Sequence, residues 1–164
     1  MTSRSRFSRA GGWLLAATLV HPVPAMASPS GTLFAGSPPA TLGARDGKLA
    51  PCPDRPNCVS SRAADGDQRV APLPFGGDAG AAMKALVDVI RAMPGATVVT
   101  ARPDYVHAEF ASAMFGFVDD VEFMPDPDLT VIHVRSAARL GVSDFGVNRK
   151  RVEAIRTAFA AATR

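Results

Sequence analysis

The chain has 164 residues, with 18 lysines and arginines against 15 aspartates and glutamates, and only two cysteines. Arg4, Arg6 and Arg9 stand at its very start, so beyond them the charges balance, and no lasting basic excess points to nucleic acid. The length suits one domain around one core.

Residues 1–27 read as a cleaved secretory signal. The three arginines precede a short apolar run, Gly11–Val20, and then Pro24 and the small-x-small pattern Ala25-Met26-Ala27, which places cleavage before Ser28. The apolar run is about ten residues, half of the roughly 20 that a spanning helix needs. No cysteine lies near the cut and the arginines are not adjacent, so neither a lipid anchor nor a twin-arginine signal is indicated. No later stretch is apolar enough to span a bilayer. The expected product is therefore soluble and periplasmic or secreted. Residues 28–47, rich in Pro, Gly, Ser and Ala, read as a flexible linker, and residues 48–164 as the single domain.

Next comes "PCPDRPNCVSS" (51–61), which holds both cysteines. Outside the cytoplasm, two lone cysteines this close are expected to be oxidised. Redox pairs usually space cysteines as C-x-x-C, and a zinc knuckle needs two further ligands, with only His107 and His133 left to supply them. A Cys52–Cys58 disulfide that presents Asn57, Ser60 and Ser61 is the expectation.

A short strand is expected around Gln68–Leu73. The clearest helix follows: Met83, Leu86, Val87, Ile90 and Met93 keep helical spacing, Asp78 caps the start, and Pro94-Gly95 ends it. From Thr97 to about Ser136 the apolar period changes to two, which predicts strands over 96–101, 105–111, 117–124 and 130–136, with a turn at 125–128. A second helix with Val152, Ile155 and Phe159 on one face and Asn148 as its cap closes the chain. The order predicts an α+β domain: an antiparallel sheet of about four to five strands with two helices packed on one face.

That arrangement has a chemical consequence. Val106, Ala108, Phe110, Phe117, Val121, Phe123, Ile132 and Val134 would face the helices, together with Asp119. His107, Glu109, Asp120, Glu122, His133 and Arg135 would crowd the other face. A divalent metal or acid–base chemistry could use such a set, but the spacing matches no metal signature, and a solvated face of weak ion pairs explains it as well. No metal or other cofactor is assigned. A buried Asp119 needs a donor, with Arg139 or backbone amides as candidates. Arg149, Lys150 and Arg151 in the first turn of the last helix oppose its dipole. This leaves an anion site at the helix start, built on Asn148, Arg149 and the loop 141–148, as an alternative to plain pairing or solvation. No G-x-S-x-G, S-x-x-K or H-E-x-x-H motif is present.

Three segments, "PCPDRPNCVSS", "FGFVDDVEF" and "IHVRSAARLGVSDFGVNRKRVEAIR", resemble the signature segments of domain-of-unknown-function family 1499, over roughly residues 48–160. The family pattern usually has serine where this chain has Ala138. The resemblance implies no reaction; it marks Asn57, Cys58, Ser60, Ser61, Asp119, Asp120, Arg135, Ser136, Arg139, Gly141, Asp144, Gly146, Asn148 and Arg149 as positions to test. Two functional readings stand. One is a non-enzymatic module that binds a small anionic ligand or an envelope partner through Asn57, Ser60, Ser61, Ser136, Asp144, Asn148 and Arg149. The other is an envelope enzyme in which Asp119 or Asp120 acts with Arg135 and Arg139.

Overall fold

The two-residue apolar period becomes a meander of four strands in the structure, a computed structural model that describes residues 34–64 and 66–164. The expected signal segment lies outside the described residues, as does the start of the lead-in after it. In chain order the elements are β1 (Cys58–Ser60), a 3-10 turn (Gly66–Gln68), β2 (Leu73–Pro74), α1 (Ala79–Arg91), β3 (Ala96–Arg102), β4 (Tyr105–Ala111), β5 (Val118–Asp126), β6 (Val131–Ala138) and α2 (Val147–Ala162).

All strand pairs are antiparallel, in the order β1-β6-β5-β4-β3, and β2 shares with β1 the outer side of β6. The sheet thus has six strands rather than four or five. β1 and β2 are too short to show an alternating pattern, and the segment expected as a strand before Leu73 contributes only a bridge from Arg69 to Ser60. β5 runs on through Pro125, where a turn was expected. Its pairing with β4 has already ended at Phe123, so on that side Pro125 owes the ladder no N–H. The chain reverses instead between Pro127 and Thr130, whose N–H donates to Pro127 O.

Both helices cover one face. α1 buries Ala82, Met83, Leu86, Val87 and Ile90, and α2 buries Val152, Ile155 and Phe159, against Val106, Ala108, Phe110, Val121, Phe123, Ile132 and Val134 of the sheet. Asp78 caps α1 as its sequence predicts, its carboxylate accepting the Ala81 N–H at 2.8 Å. Phe117 does not join the core: it precedes the first residue of β5 and is 41% exposed.

The second sheet face is buried as well. Residues 34–57 lie across it as a strap. Leu49 packs with Tyr105 and Met124, the Gly43 N–H donates to Glu122 Oε1 at 2.8 Å, and Phe34 stacks on Phe117. The Cys52–Cys58 disulfide (Cα–Cα 5.6 Å) ties the end of this strap to β1. Among the described residues no helix is long and apolar enough to cross a membrane.

Candidate functional site

Alternation along β4, β5 and β6 brings His107, Glu109, Asp120, Glu122 and Arg135 onto the strap-covered face, and Arg139 joins them just past the end of β6. Cross-strand register does the rest: Glu109 is opposite Asp120, His107 opposite Glu122, and Glu122 opposite Arg135. Like charges directly opposed on a sheet repel, and the arginines resolve this. Arg139 grips Asp120 with two parallel bonds, Nε to Oδ2 and Nη2 to Oδ1, both 2.7 Å, and Nη2 also reaches Glu109 Oε1 at 2.5 Å. His107 Nε2 lies 2.8 Å from Asp120 Oδ1. Glu122 Oε1 accepts from the Tyr105 hydroxyl at 2.8 Å, and Arg135 Nη1 bonds Oε2 at 3.1 Å.

All six of these side chains are nearly solvent-free, so the weak, solvated ion pairs allowed by the sequence are replaced by desolvated ones. Burial raises the Asp120 carboxyl, but the bonds from Arg139 and His107 outweigh it and hold the group below the usual carboxylate range. Arg139 is correspondingly held even more firmly protonated, chiefly by Asp120. Burial, aided by the Glu122 charge, pushes the Tyr105 phenol up.

Asp119 lies on the other face, against the helices, as alternation requires. Its partner is Arg151 rather than Arg139, Nη2 to Oδ2 at 2.6 Å. Burial still raises its carboxyl above the ordinary value despite this pairing. Arg151 also bonds Asn148 Oδ1 at 2.7 Å and lies over the Phe110 ring, while the Ser136 hydroxyl donates to Asn148 Oδ1. Arg151 was absent from the sequence candidates. The signal was available, since it follows Asn148 by three residues and therefore shares its helix face.

The start of α2 differs from expectation. Asn148 is not its cap but a fully buried residue of the first turn, donating through Nδ2 to Asn57 O at 3.3 Å. Asp144 takes the capping role, Oδ1 accepting from the Gly146 N–H at 3.0 Å and Oδ2 from the Asn148 N–H at 2.8 Å. Those amide bonds hold its carboxyl below the usual range against the effect of burial. The chain's own carboxylate thus fills the position an anion would take at this helix start. Arg149 turns away to the carbonyls of Asp67 and Arg69.

Ser61 meets a histidine. Its hydroxyl oxygen accepts the Val134 N–H at 3.0 Å and shares a hydrogen bond with His133 Nδ1, 3.1 Å away. His133 Nε2 is 3.5 Å from Asp126 Oδ2, too long for a hydrogen bond. Burial, with the Arg62 charge, keeps His133 below its ordinary pKa. Ser61 is itself buried and holds backbone, so the pair pins β1 to β6. Ser60 serves its own loop, its hydroxyl accepting the Arg62 N–H at 3.1 Å.

Two pockets bear on these residues. The larger, about 470 Å³, lies between the disulfide loop and the α2 start, with Arg55, Asp67, Asp144 and Arg149 in its wall. Its Asp144 and Arg149 are already committed to backbone. The other, about 340 Å³, is walled by Ser37, Pro39 and Thr41 of the strap, by Cys52, Arg55 and Asn57 of the disulfide loop, and by Asp120, Arg135 and Arg139 of the sheet. Among its lining residues, two buried atoms have no protein partner, Arg135 Nε and Asn57 Oδ1. Among the described residues no three His, Cys, Asp or Glu side chains converge as metal ligands.

Residues 48–159 match a family model described as "Protein of unknown function (DUF1499)". No curated protein and no solved structure matches the chain.

Proposed function

The chain belongs to the DUF1499 family, whose description assigns no reaction, and from the site's own geometry we propose that it is a binding module for a small ligand bearing a carboxylate or similar oxyanion, held in the 340 Å³ pocket between strap and sheet. The observation that carries the reading is Arg135. It is 5% exposed, it forms part of the pocket wall, and Glu122 engages only its Nη1, leaving Nε with no protein partner. An unpartnered donor on a buried cation costs about 1–3 kcal/mol or more. Such a cost at a pocket wall is reasonable where a ligand oxygen completes the set. The wall carries three arginines against one carboxylate, and that carboxylate, Asp120, is saturated by Arg139 and His107. The volume falls within the range of small-molecule sites, roughly 300–1,000 Å³.

The same geometry speaks against the catalytic alternative. Asp119 and Asp120 lie on opposite sheet faces, so they cannot share a substrate. Asp120 is held ionised with both oxygens occupied, which is poor preparation for moving a proton. We place the working protein outside the cytoplasm, on the disulfide together with the signal-like sequence of residues 1–27.

Thermal unfolding in the presence of acetate, succinate, citrate and inorganic phosphate tests the reading. A ligand at 100 times its Kd adds about 2.7 kcal/mol, a rise of several degrees in Tm. Arg135→Lys keeps a cation opposite Glu122 but removes the Nε donor, and should abolish the rise. Absence of stabilisation across the panel, or stabilisation untouched by Arg135→Lys, overturns the assignment.

A further inference from the structure

Arg135 Nε has no protein partner and practically no exposed surface, so in this conformation a ligand oxygen cannot reach it. Something over it has to move. Arg135 lies on an inner strand, with Ser60 of β1 opposite it on one side and Glu122 of β5 on the other. The helices cover the far face of the sheet, which leaves the strap as the cover that can lift.

Most of the strap is pinned. Cys52 is bonded to Cys58, Leu49 is buried against Tyr105 and Met124, and the Gly43 N–H donates to Glu122 Oε1. At the other end Phe34 stacks on Phe117, and Gly36 sits against Leu140, where a Cβ would lie 3.2 Å from Leu140 Cγ. Between these ties runs "SPPATL" (37–42). Ser37, Pro39 and Thr41 wall the pocket, yet none of the six side chains is buried. Among the described residues, no hydrogen bond joins the six to the sheet. The Leu42 N–H donates to Pro39 O, and Ala40 O accepts from Arg45, both within the strap.

The stretch is bracketed by glycines with positive φ, 66° at Gly36 and 107° at Gly43. A Cβ on Gly43 would meet nothing within 4 Å, so backbone conformation rather than space calls for glycine there. Pro38 and Pro39 fix two φ angles between the glycines, which lets the stretch swing as one stiff piece.

We propose that residues 37–42 are a lid on the anion pocket, hinged at Gly36 and Gly43, which lifts to admit a ligand to Arg135 and closes over it. The lid rests on the pocket reading for its ligand, but its movement is measurable with no ligand present. Closure excludes water from around the guanidinium, which strengthens its hold on an oxyanion, and release then waits for the lid to open.

Exchange of the Arg135 Nε proton with solvent, followed by NMR in the parent chain, measures the opening. It should be at least about a hundredfold slower than at exposed Arg91 and should not accelerate in low urea, as a local opening requires. The amides of β5, a strand paired on both sides, should exchange more slowly still and accelerate with urea. Gly43→Ala cannot hold its φ without strain, so the Arg135 exchange should rise at least about tenfold with the β5 amides unchanged. Gly47→Ala is the control: φ is 67° and its surroundings are equally open, but it lies beyond the pinned Gly43 and should change the exchange less than about threefold. Exchange as fast as at Arg91, exchange with the rate and urea slope of the β5 amides, or equal effects of the two alanines overturns the lid. Any of acetate, succinate, citrate and phosphate that raises Tm should also slow the Arg135 exchange; stabilisation with that exchange unchanged overturns the lid and leaves the pocket. No stabilisation by any of the four overturns the pocket reading and this role for the segment with it, and an exchange pattern that still shows opening tells that failure from the others.

Discussion

Arg139 holds two buried carboxylates at once, and replacing it tests whether the strap-covered face is a structural network or a decorated surface. In Arg139→Met the stem is retained and the guanidinium is lost, so Asp120 and Glu109, directly opposite each other on β5 and β4, face one another without their shared cation. Their side chains are 1% and 8% exposed, and water cannot replace the lost bonds. Removing one partner of a buried pair costs about 3–5 kcal/mol. Against a total stability of roughly 5–15 kcal/mol, that is a large fraction. With a urea m-value of about 2 kcal/mol/M, the unfolding midpoint should fall by roughly 2 M at neutral pH. The pH dependence fixes the sign. In the parent chain the folded pKa of Asp120 is depressed, so its contribution is present above the unfolded carboxylate value and is lost as pH falls through the folded one. In the variant only His107 still opposes burial, so the Asp120 pKa rises, protonation relieves the folded state, and the deficit should shrink as pH falls from 7 toward 4. Urea titrations of both proteins at several pH values measure this. A deficit under about 1 kcal/mol at neutral pH, or one that does not narrow with acid, would refute the reading of the face as a desolvated network.

Two smaller perturbations probe how the site is positioned. Asp144→Ala strips the cap from α2, and should cost about 1 kcal/mol and speed hydrogen exchange of the Gly146 and Asn148 amides; unchanged exchange would mean the loop, not the carboxylate, sets the helix start. Gly95 has φ 73° and a Cβ there would lie 2.5 Å from the Ala111 carbonyl oxygen, so Gly95→Ala should lose at least about 2 kcal/mol by urea unfolding, and a neutral result would show that the turn into β3 can shift.

The apolar alternation of Tyr105–Ala111 and Val131–Ala138 made the meander legible, because each of these strands has helices on one side and a different environment on the other. The polar set on the second face was legible for the same reason: a two-residue period assigns faces without any knowledge of register. Partner choice was not, since Asp119 and Asp120 are neighbours in sequence and belong to different networks, with Arg151 and Arg139 respectively. An arginine's reach spans several strand positions, so which one arrives is decided by packing in three dimensions. β1 and β2 were hidden by their length, and the capping role of Asp144 by a loop geometry that places its carboxylate over an amide four residues on. Burial of the polar face was the largest departure. Residues 34–47 have the composition of a linker, and nothing periodic in them announces a cover.

That cover explains why the pocket lies where it does. A face bearing three carboxylates and two arginines can be desolvated only beneath a segment whose backbone supplies further donors, and Gly43 N–H does this for Glu122. A strap rich in proline and glycine follows the sheet without seating side chains into it, which leaves space beneath. Its far end is fixed by the Cys52–Cys58 ring and its near end by Phe34 on Phe117, so the space between Ser37, Pro39, Thr41 and the arginines is bounded at both ends. The same segment therefore reaches Phe117 and Leu140 through Phe34 and Gly36, and the pocket through the next few residues.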